Sequence, residues 1–409
     1  MKPTAKLHTH VSAIEPLIPE WSRGALEELT FEIIRKAGQL SSYLPSPIVR
    51  GRVADLVREM NSYYSNLIEG HKTLPRDIER ALQEDYSSDP EKFVNQQLSR
   101  AHIEVERLMV DRLQKEPKFS IHAKEFLCWI HKEFYARLPE EMRFSKDRKG
   151  KKYRIEPGIP RNFEVEVGRH QPPAFEALEK MMERFANFYQ GNEVSATNRL
   201  VALAAAHHRL TWIHPFGDGN GRVARLYSHA GLIQCKVDAL GLWTLSRGLA
   251  RHRQQYYRSL SDADSERRND LDGRGNLSDR ALGDFCVFFL RTALDQIEFM
   301  SGLLQLPNLS ARIERHLGFE LLNLTSRERE RISRLLKAAL IEGEIQRGRV
   351  PDIVGLSGTS ARHVIRLALR EGLVDSPSVK GSLSLVFSAK TLDSYFPQLY
   401  QDLAVDPGD

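Results

Sequence analysis

The 409-residue chain has little cysteine, only Cys128, Cys235 and Cys286, far apart and each inside an apolar segment. That spacing argues against a disulfide frame or a clustered zinc site and for reduced thiols facing a core. Long hydrophobic runs are also missing. None approaches the roughly 20 residues that cross a bilayer, so no membrane anchoring is expected. The opening MKPTAKLHTHVSAIEPLIPEW lacks the apolar centre of a secretory signal, and the expected location is cytoplasmic. An excess of charge of one sign is nearly missing as well. The formal net charge is +5, a mild excess that permits acidic partners without pointing to one. The glycines of Asp272-Gly-Arg-Gly-Asn276, in the polar stretch 261–278, lack the flanking strand of a dinucleotide fingerprint and read as a loop.

What the chain does have is His214-Pro-Phe-Gly-Asp-Gly-Asn-Gly-Arg-Val-Ala-Arg225. Leu200, Leu203, His207, Leu210 and Ile213 recur at three- and four-residue spacing, so a helix runs up to His214. Pro215 to Gly219 breaks it. A second helix starts near Asn220, because the run to Gln234 holds no proline. Glycines at 219 and 221 let backbone N–H groups approach a ligand closely. The new helix N-terminus supplies unpaired donors and a positive dipole end, which suits phosphate. Arg222 and Arg225, three apart, share a face. Asp218 is a hard oxygen ligand beside that cradle, where phosphate-bound Mg²⁺ needs one.

Position for position this stretch resembles the motif of the Fic family, His-x-Phe-x-(Asp/Glu)-Gly-Asn-Gly-Arg-x-x-Arg. The resemblance implies transfer of AMP from ATP, with Mg²⁺, to a Ser, Thr or Tyr hydroxyl of a protein, the chain itself included. It implies His214 as general base, a role suited to a group with pKa near ~6.5. Asp218 would hold Mg²⁺ on the α- and β-phosphates. Gly217, Gly219, Asn220, Gly221 and Arg222 would cradle the phosphates, and Arg225 would reach the γ-phosphate. Phe216 counts among the nucleotide-site residues as an anchor that fixes the loop. Of the neighbouring Tyr256 and Tyr257, one is expected to line the adenine pocket, with core packing the alternative.

Ser65-Asn-Leu-Ile-Glu69-Gly70 ends a segment whose apolar residues recur at helical spacing from Val53 to Leu67. Pro47 suits its first turn and Gly70 its C-cap. Ser65 and Glu69, four apart, share a face. By itself this is a solvated glutamate before a cap. It also resembles the inhibitory signature (Ser/Thr)-x-x-x-Glu-(Gly/Asn) of Fic proteins, which implies that Glu69 pairs with Arg225 and competes with the γ-phosphate.

The fold expected is mainly α: a Fic-type helical core with a small β-hairpin flap, plus a C-terminal winged helix-turn-helix domain. Residues 1–21 read as an irregular arm, 22–115 as a helical region carrying the inhibitory helix, 116–304 as the catalytic core and 310–400 as the winged helix. Further helices are expected at 173–190, 195–213, 246–260 and 279–304. Tyr153-Arg-Ile155 and the alternating Phe163 to Val167 read as the hairpin. The resemblance implies that this 153–167 flap docks the target by strand addition, driven by main-chain hydrogen bonds. Thr359, Ser360, Arg362, His363 and Arg366 fall on the expected recognition helix. Over residues 347–380 they could meet DNA, with Arg347, Arg349 and Lys380 on the backbone. Contact with a partner or a second copy is the other reading. An autoinhibited AMP transferase is therefore expected; the alternatives are a DNA-associated regulator and an enzyme that removes AMP at the same site.

Overall fold

The computed structural model describes residues 8–146, 150–168, 170–191 and 198–400. Backbone contacts divide the chain into two units, one of residues 1–35, 61–238 and 244–296, the other of residues 36–60, 239–243 and 297–409. Three of the unit boundaries fall inside helices, α1 (Arg23–Leu40), α2 (Pro47–Ile68) and α11 (Asp279–Leu304).

The first unit adds α3 (Pro75–Leu82), α4 (Pro90–Lys115), α5 (Lys124–Ala136), α6 (Leu178–Gln190), α7 (Arg199–Ile213), α8 (Asn220–Gln234), α9 (Leu245–Arg251) and α10 (Arg253–Ala263). At its centre lies α7, where every residue from Leu200 to Leu210, and Trp212 and Ile213, is buried. It is buried on every side, His207, His208 and Arg209 included, and α6 and α8 cover it. Close approach of α7 and α8 requires Gly231, since a Cβ there would stand 2.3 Å from Leu203 Cδ1. α4 and α5 pack on α8 in turn. α4 starts where Asp89 accepts from Lys92 N–H at 3.0 Å and Pro90 takes the first helical position, an N-cap followed by the one residue that lacks a donor to satisfy.

Several expectations are corrected in detail. The arm contains a 3₁₀ turn, Val11–Ile14, with Ile14 and Leu17 buried. The helix expected over 246–260 is two, broken at His252 (φ −113°, ψ 37°). Residues 195–197 of another expected helix lie outside the described residues. The hairpin pairs β1 (Phe144–Lys146) with β2 (Lys152–Arg154), Ser145 opposite Tyr153, and not 153–155 with 163–167. The Pro157-Gly158 turn does not reverse the chain into a second strand. Instead Gly158 N–H donates to His131 Nδ1 at 2.9 Å, and Phe163 stacks on Tyr153 with centroids 4.1 Å apart. Among residues 163–167 the only ladder contact described is the bridge from Val167 to His170.

In the second unit α12 (Leu306–Phe319) precedes α13 (Ser326–Glu342), which opens on a capping box between Thr325 and Glu328. Then come β3 (Glu344–Ile345), α14 (Val350–Val354), α15 (Gly358–Arg370), β4 (Val374–Asp375), β5 (Leu383–Leu385) and α16 (Ala389–Tyr395), the strands forming an antiparallel sheet in the order β3-β5-β4. Thr359, Ser360, Arg362, His363 and Arg366 all lie on α15, as one helix was expected to carry them. β3, α12 and α16 were not foreseen. Among the described residues no helix is long and apolar enough to cross a membrane.

Candidate active site

His214 caps the C-terminus of α7 in the left-handed region (φ 49°, ψ 61°), its N–H on Leu210 O at 3.1 Å. A non-glycine residue there is uncommon and is held by its surroundings. The holder is Arg161, which the sequence did not single out. Its buried guanidinium donates to His214 O (2.9 Å), Phe163 O (3.0 Å) and Pro173 O (2.6 Å), and its backbone N–H donates to Pro215 O (2.8 Å). His214 Nδ1 lies 3.4 Å from Thr211 O, an acceptor, so the ring proton sits on Nδ1 and Nε2 keeps its lone pair. Burial, with His170 and Arg161 nearby, pushes its pKa down to about 4. The imidazole is therefore neutral, as a base must be.

The loop from Phe216 to Gly219 rests on α5. Phe216 is fully buried and stacks on His131, ring centroids 4.0 Å apart and 9° from parallel. Because Gly158 N–H donates to His131 Nδ1, the proton is on Nε2, and that N–H reaches Asp218 O at 3.3 Å. One turn on, Tyr135 OH donates to Asp218 Oδ2 at 2.5 Å. Gly219 (φ +78°) lies on this tyrosine; a Cβ there would come 2.7 Å from the ring. Gly217 answers to the segment after the hairpin, since a Cβ would stand 2.8 Å from both Ile155 Cδ1 and Phe163 Cζ. Asn220 clamps the loop, accepting from Phe216 N–H (2.9 Å) and donating to Phe216 O (2.8 Å). Its amide thus shapes the cradle from within, whereas the sequence reading had it touch phosphate.

α8 starts at Asn220 without a side-chain cap, which leaves first-turn N–H groups open toward Gly221. Arg222, buried and over the Phe134 ring at 5.3 Å, keeps an Nε–H with no hydrogen-bond partner among the described residues. An orphaned buried cationic donor beside an uncapped helix N-terminus suits an anion. Asp218 is exposed, and its Oδ1 takes no hydrogen bond among the described residues. No group of three or more His, Cys, Asp or Glu that could hold a metal ion occurs among them. A divalent ion here would rest on this single carboxylate and on phosphate oxygens, which is how Mg²⁺ is commonly held.

Over Gly221 sits Glu69. A Cβ on Gly221 would fall 2.3 Å from Glu69 Oε1. Arg225, buried, divides its fork: Nη2 donates to Glu69 Oε1 (2.6 Å) and to Ser65 O (2.9 Å), and Nε to Ser65 Oγ (2.9 Å). Burial works against the Glu69 charge, but Arg225 and Arg222 outweigh it and hold the carboxyl below its usual range. Gly70 follows at φ +87° and ends the segment.

The two tyrosines part company. Tyr256 is buried in the core, its OH 2.7 Å from His207 Nε2. That excludes it from an adenine pocket. Tyr257 is half-exposed, and its OH donates to Ile68 O (3.0 Å), as does Arg253 Nε (3.0 Å). Both serve the last carbonyl of α2.

Residues 120–231 match the model of the Fic/DOC family. A protein adenylyltransferase Fic from Nematostella vectensis is 28% identical over 208 residues, 51% of this chain and 45% of that protein. One from Drosophila erecta is 39% identical over 80 residues, 20% of this chain and 16% of that protein. The chain thus spans less than half the length of these relatives. Among solved structures, a Fic family protein from Desulfovibrio desulfuricans G20 shares the fold, with a TM-score of 0.53 and 19% identity over 90% of this chain and 98% of that one. Residues 120–231 of the chain thus carry a Fic/DOC-type domain.

Proposed function

We propose that the chain is a protein adenylyltransferase held in an inhibited state by its own α2. Neutral His214 takes the proton of a Ser, Thr or Tyr hydroxyl at Nε2 while that oxygen attacks the α-phosphorus of ATP, and pyrophosphate leaves. The N–H groups at the start of α8 and the free Nε–H of Arg222 meet phosphate oxygens, worth most where charge develops. Mg²⁺ on Asp218 would neutralise phosphate charge and orient the leaving group. A target segment adding along the β1–β2 hairpin would be carried to the loop by Ile155 and Phe163, which lean on Gly217.

One observation carries the inhibitory part: Glu69 Oε1 lies 2.6 Å from Arg225 Nη2 and directly over Gly221. Two anions cannot share that fork, so nucleotide phosphate must displace the carboxylate. A mass-spectrometric search for AMP on the chain itself and on lysate proteins, with His214→Ala as the control, tests the activity. No adduct above the control overturns it.

For the C-terminal unit, read as a winged helix, duplex DNA is a second function. The exposed positions of α15, from Gly358 to Arg370, carry no carboxylate. His363 and Arg370 pair with Glu328 and Glu371, which leaves Arg362 and Arg366 for phosphates. Retention of random duplex that falls steeply between two salt concentrations and weakens in Arg362→Ala supports this. No binding, or binding indifferent to salt, favours contact with a protein partner or a second copy.

A further inference from the structure

Below the Glu69–Arg225 contact a second set of buried polar groups joins the same two helices. Asn61 and Ser65 stand at i and i+4 on α2 and so share one face, with Glu69 just past its end. Arg225 and His229 stand at i and i+4 on α8. Between them Glu106 enters from α4. Asn61 and Glu106 are each only 3% exposed. Asn61 Nδ2 donates to Glu106 Oε2 at 2.5 Å, and Asn61 Oδ1 accepts from Thr244 Oγ1 at 2.6 Å. His229 Nε2 lies 3.6 Å from Glu106 Oε1, and His102 Nδ1, one turn before Glu106, lies 3.9 Å from Oε2. Ser62, next on α2, donates to Ser99 O of α4 at 2.9 Å.

A buried carboxylate is tolerable only while its lone pairs are occupied. Of the groups just named around Glu106, Asn61 is the one that belongs to α2. If the C-terminal half of α2 lifts off, Glu106 loses that donor. Asn61 at the same time loses both its partners. Glu69 is partly open to solvent, its side chain 29% exposed, so its contact with Arg225 is the weaker, exchangeable end of the seam.

We propose that Asn61 and Glu106 are positioning residues of the inhibitory segment: their hydrogen bond is the buried anchor that sets α2 so that Glu69 reaches Arg225. The proposal rests on the inhibited-transferase reading. It assigns Asn61 and Glu106 no contact with substrate. They act through Ser65 and Glu69, by fixing where the helix docks.

The test is a cycle of Asn61→Ala and Glu69→Gly in the full chain, measuring AMP transfer and the apparent KM for Mg-ATP. With Glu69 present, Asn61→Ala should raise transfer at least about threefold, the low end of what loss of one buried hydrogen bond shifts in an equilibrium. The gain should appear as a lower KM, because a larger fraction of molecules has a free phosphate site. With Glu69→Gly already made, Asn61→Ala should add nothing. Glu106→Gln, which keeps the shape and removes the charge that strengthens the bond, should move transfer the same way by a smaller factor. If Glu69→Gly activates but Asn61→Ala and Glu106→Gln leave KM unchanged, or lower transfer equally in both backgrounds, the anchor is refuted and the groups only maintain the fold. If Glu69→Gly itself does nothing, the inhibitory reading fails, independently of the anchor.

Discussion

Tyr135→Phe isolates a contact invisible in the sequence. The hydroxyl donates to Asp218 Oδ2 at 2.5 Å, and burial together with the Asp218 charge pushes its pKa well above the usual tyrosine value. It is therefore a permanent donor. The ring also floors Gly219, and phenylalanine keeps that floor, so the substitution removes only what the hydroxyl supplies, its hydrogen bond to Asp218 and its contact with Arg222. A hydrogen bond to a charged group contributes about 1.5–3 kcal/mol. Asp218 is exposed, and water can replace the lost donor. The low end therefore applies, about 1.5 kcal/mol or roughly tenfold. Because Asp218 would hold the metal–phosphate complex, the loss should fall on binding. In a Glu69→Gly background, where α2 no longer masks nucleotide affinity, the KM for Mg-ATP should rise about fivefold to tenfold and kcat should change less than about threefold. Isothermal titration with a non-hydrolysable ATP analogue and Mg²⁺ should show the same shift. An unchanged KM, or a kcat collapse as deep as that of Asp218→Ala, would refute a role for Tyr135 in orienting this carboxylate.

Other outcomes follow from the same geometry. His214→Ala should lower transfer about 10²–10⁴-fold while nucleotide binding persists; near-normal transfer ends its role as base. With its pKa pushed down to about 4, His214 stays unprotonated well below neutrality. Transfer by Glu69→Gly should therefore hold between pH 7.5 and 5.5, whereas a base with an inflection near 6.5 would lose about tenfold. Stability should behave oppositely. His102, His131 and His207 are buried with pKa values lowered to about 3, 4 and 3. In the unfolded chain they bind protons near pH 6.5, and in the native fold only near pH 3–4. Their contribution is complete above pH 6.5 and is lost as pH falls toward 4, roughly 1 kcal/mol per group for each unit. Thermal melts should drop steeply from pH 6.5 to 5, and a flat profile would contradict the buried neutral assignment.

How much of this was legible depends on how far each partner lies along the chain. α2, α7 and α8 could be read because each presents a long, strong helical pattern. Gly219, Gly221 and the two arginines fell within twelve residues of His214, so their grouping was visible. α3 was missed because an eight-residue helix is too short to declare itself by periodicity and is held by burial of Ile78 and Ala81. The hairpin was misplaced by one strand, because alternation at 163–167 resembles a strand while Phe163 in fact answers to Tyr153 and Gly217. Arg161, His131 and Tyr135 lie tens of residues before the motif, with nothing local to mark them. The last two were separable only as a polar pair four apart on the buried face of a helix. Tyr256 and Tyr257 are neighbours in sequence, and the helix turns one inward and the other toward α2.

Glu69→Gly tests the inhibitory contact most directly. Wild type and variant, with Mg-ATP, are compared for AMP incorporated into the chain and into lysate proteins under identical conditions. Removing the carboxylate over Gly221 should raise transfer at least about tenfold, the equivalent of roughly 1.4 kcal/mol of relieved competition for Arg225. Unchanged transfer would mean that the Glu69–Arg225 contact ends a helix and restrains nothing. Loss of AMP removal from a modified target, with no gain in transfer, would make Glu69 a hydrolytic residue and reverse the proposed direction of the reaction.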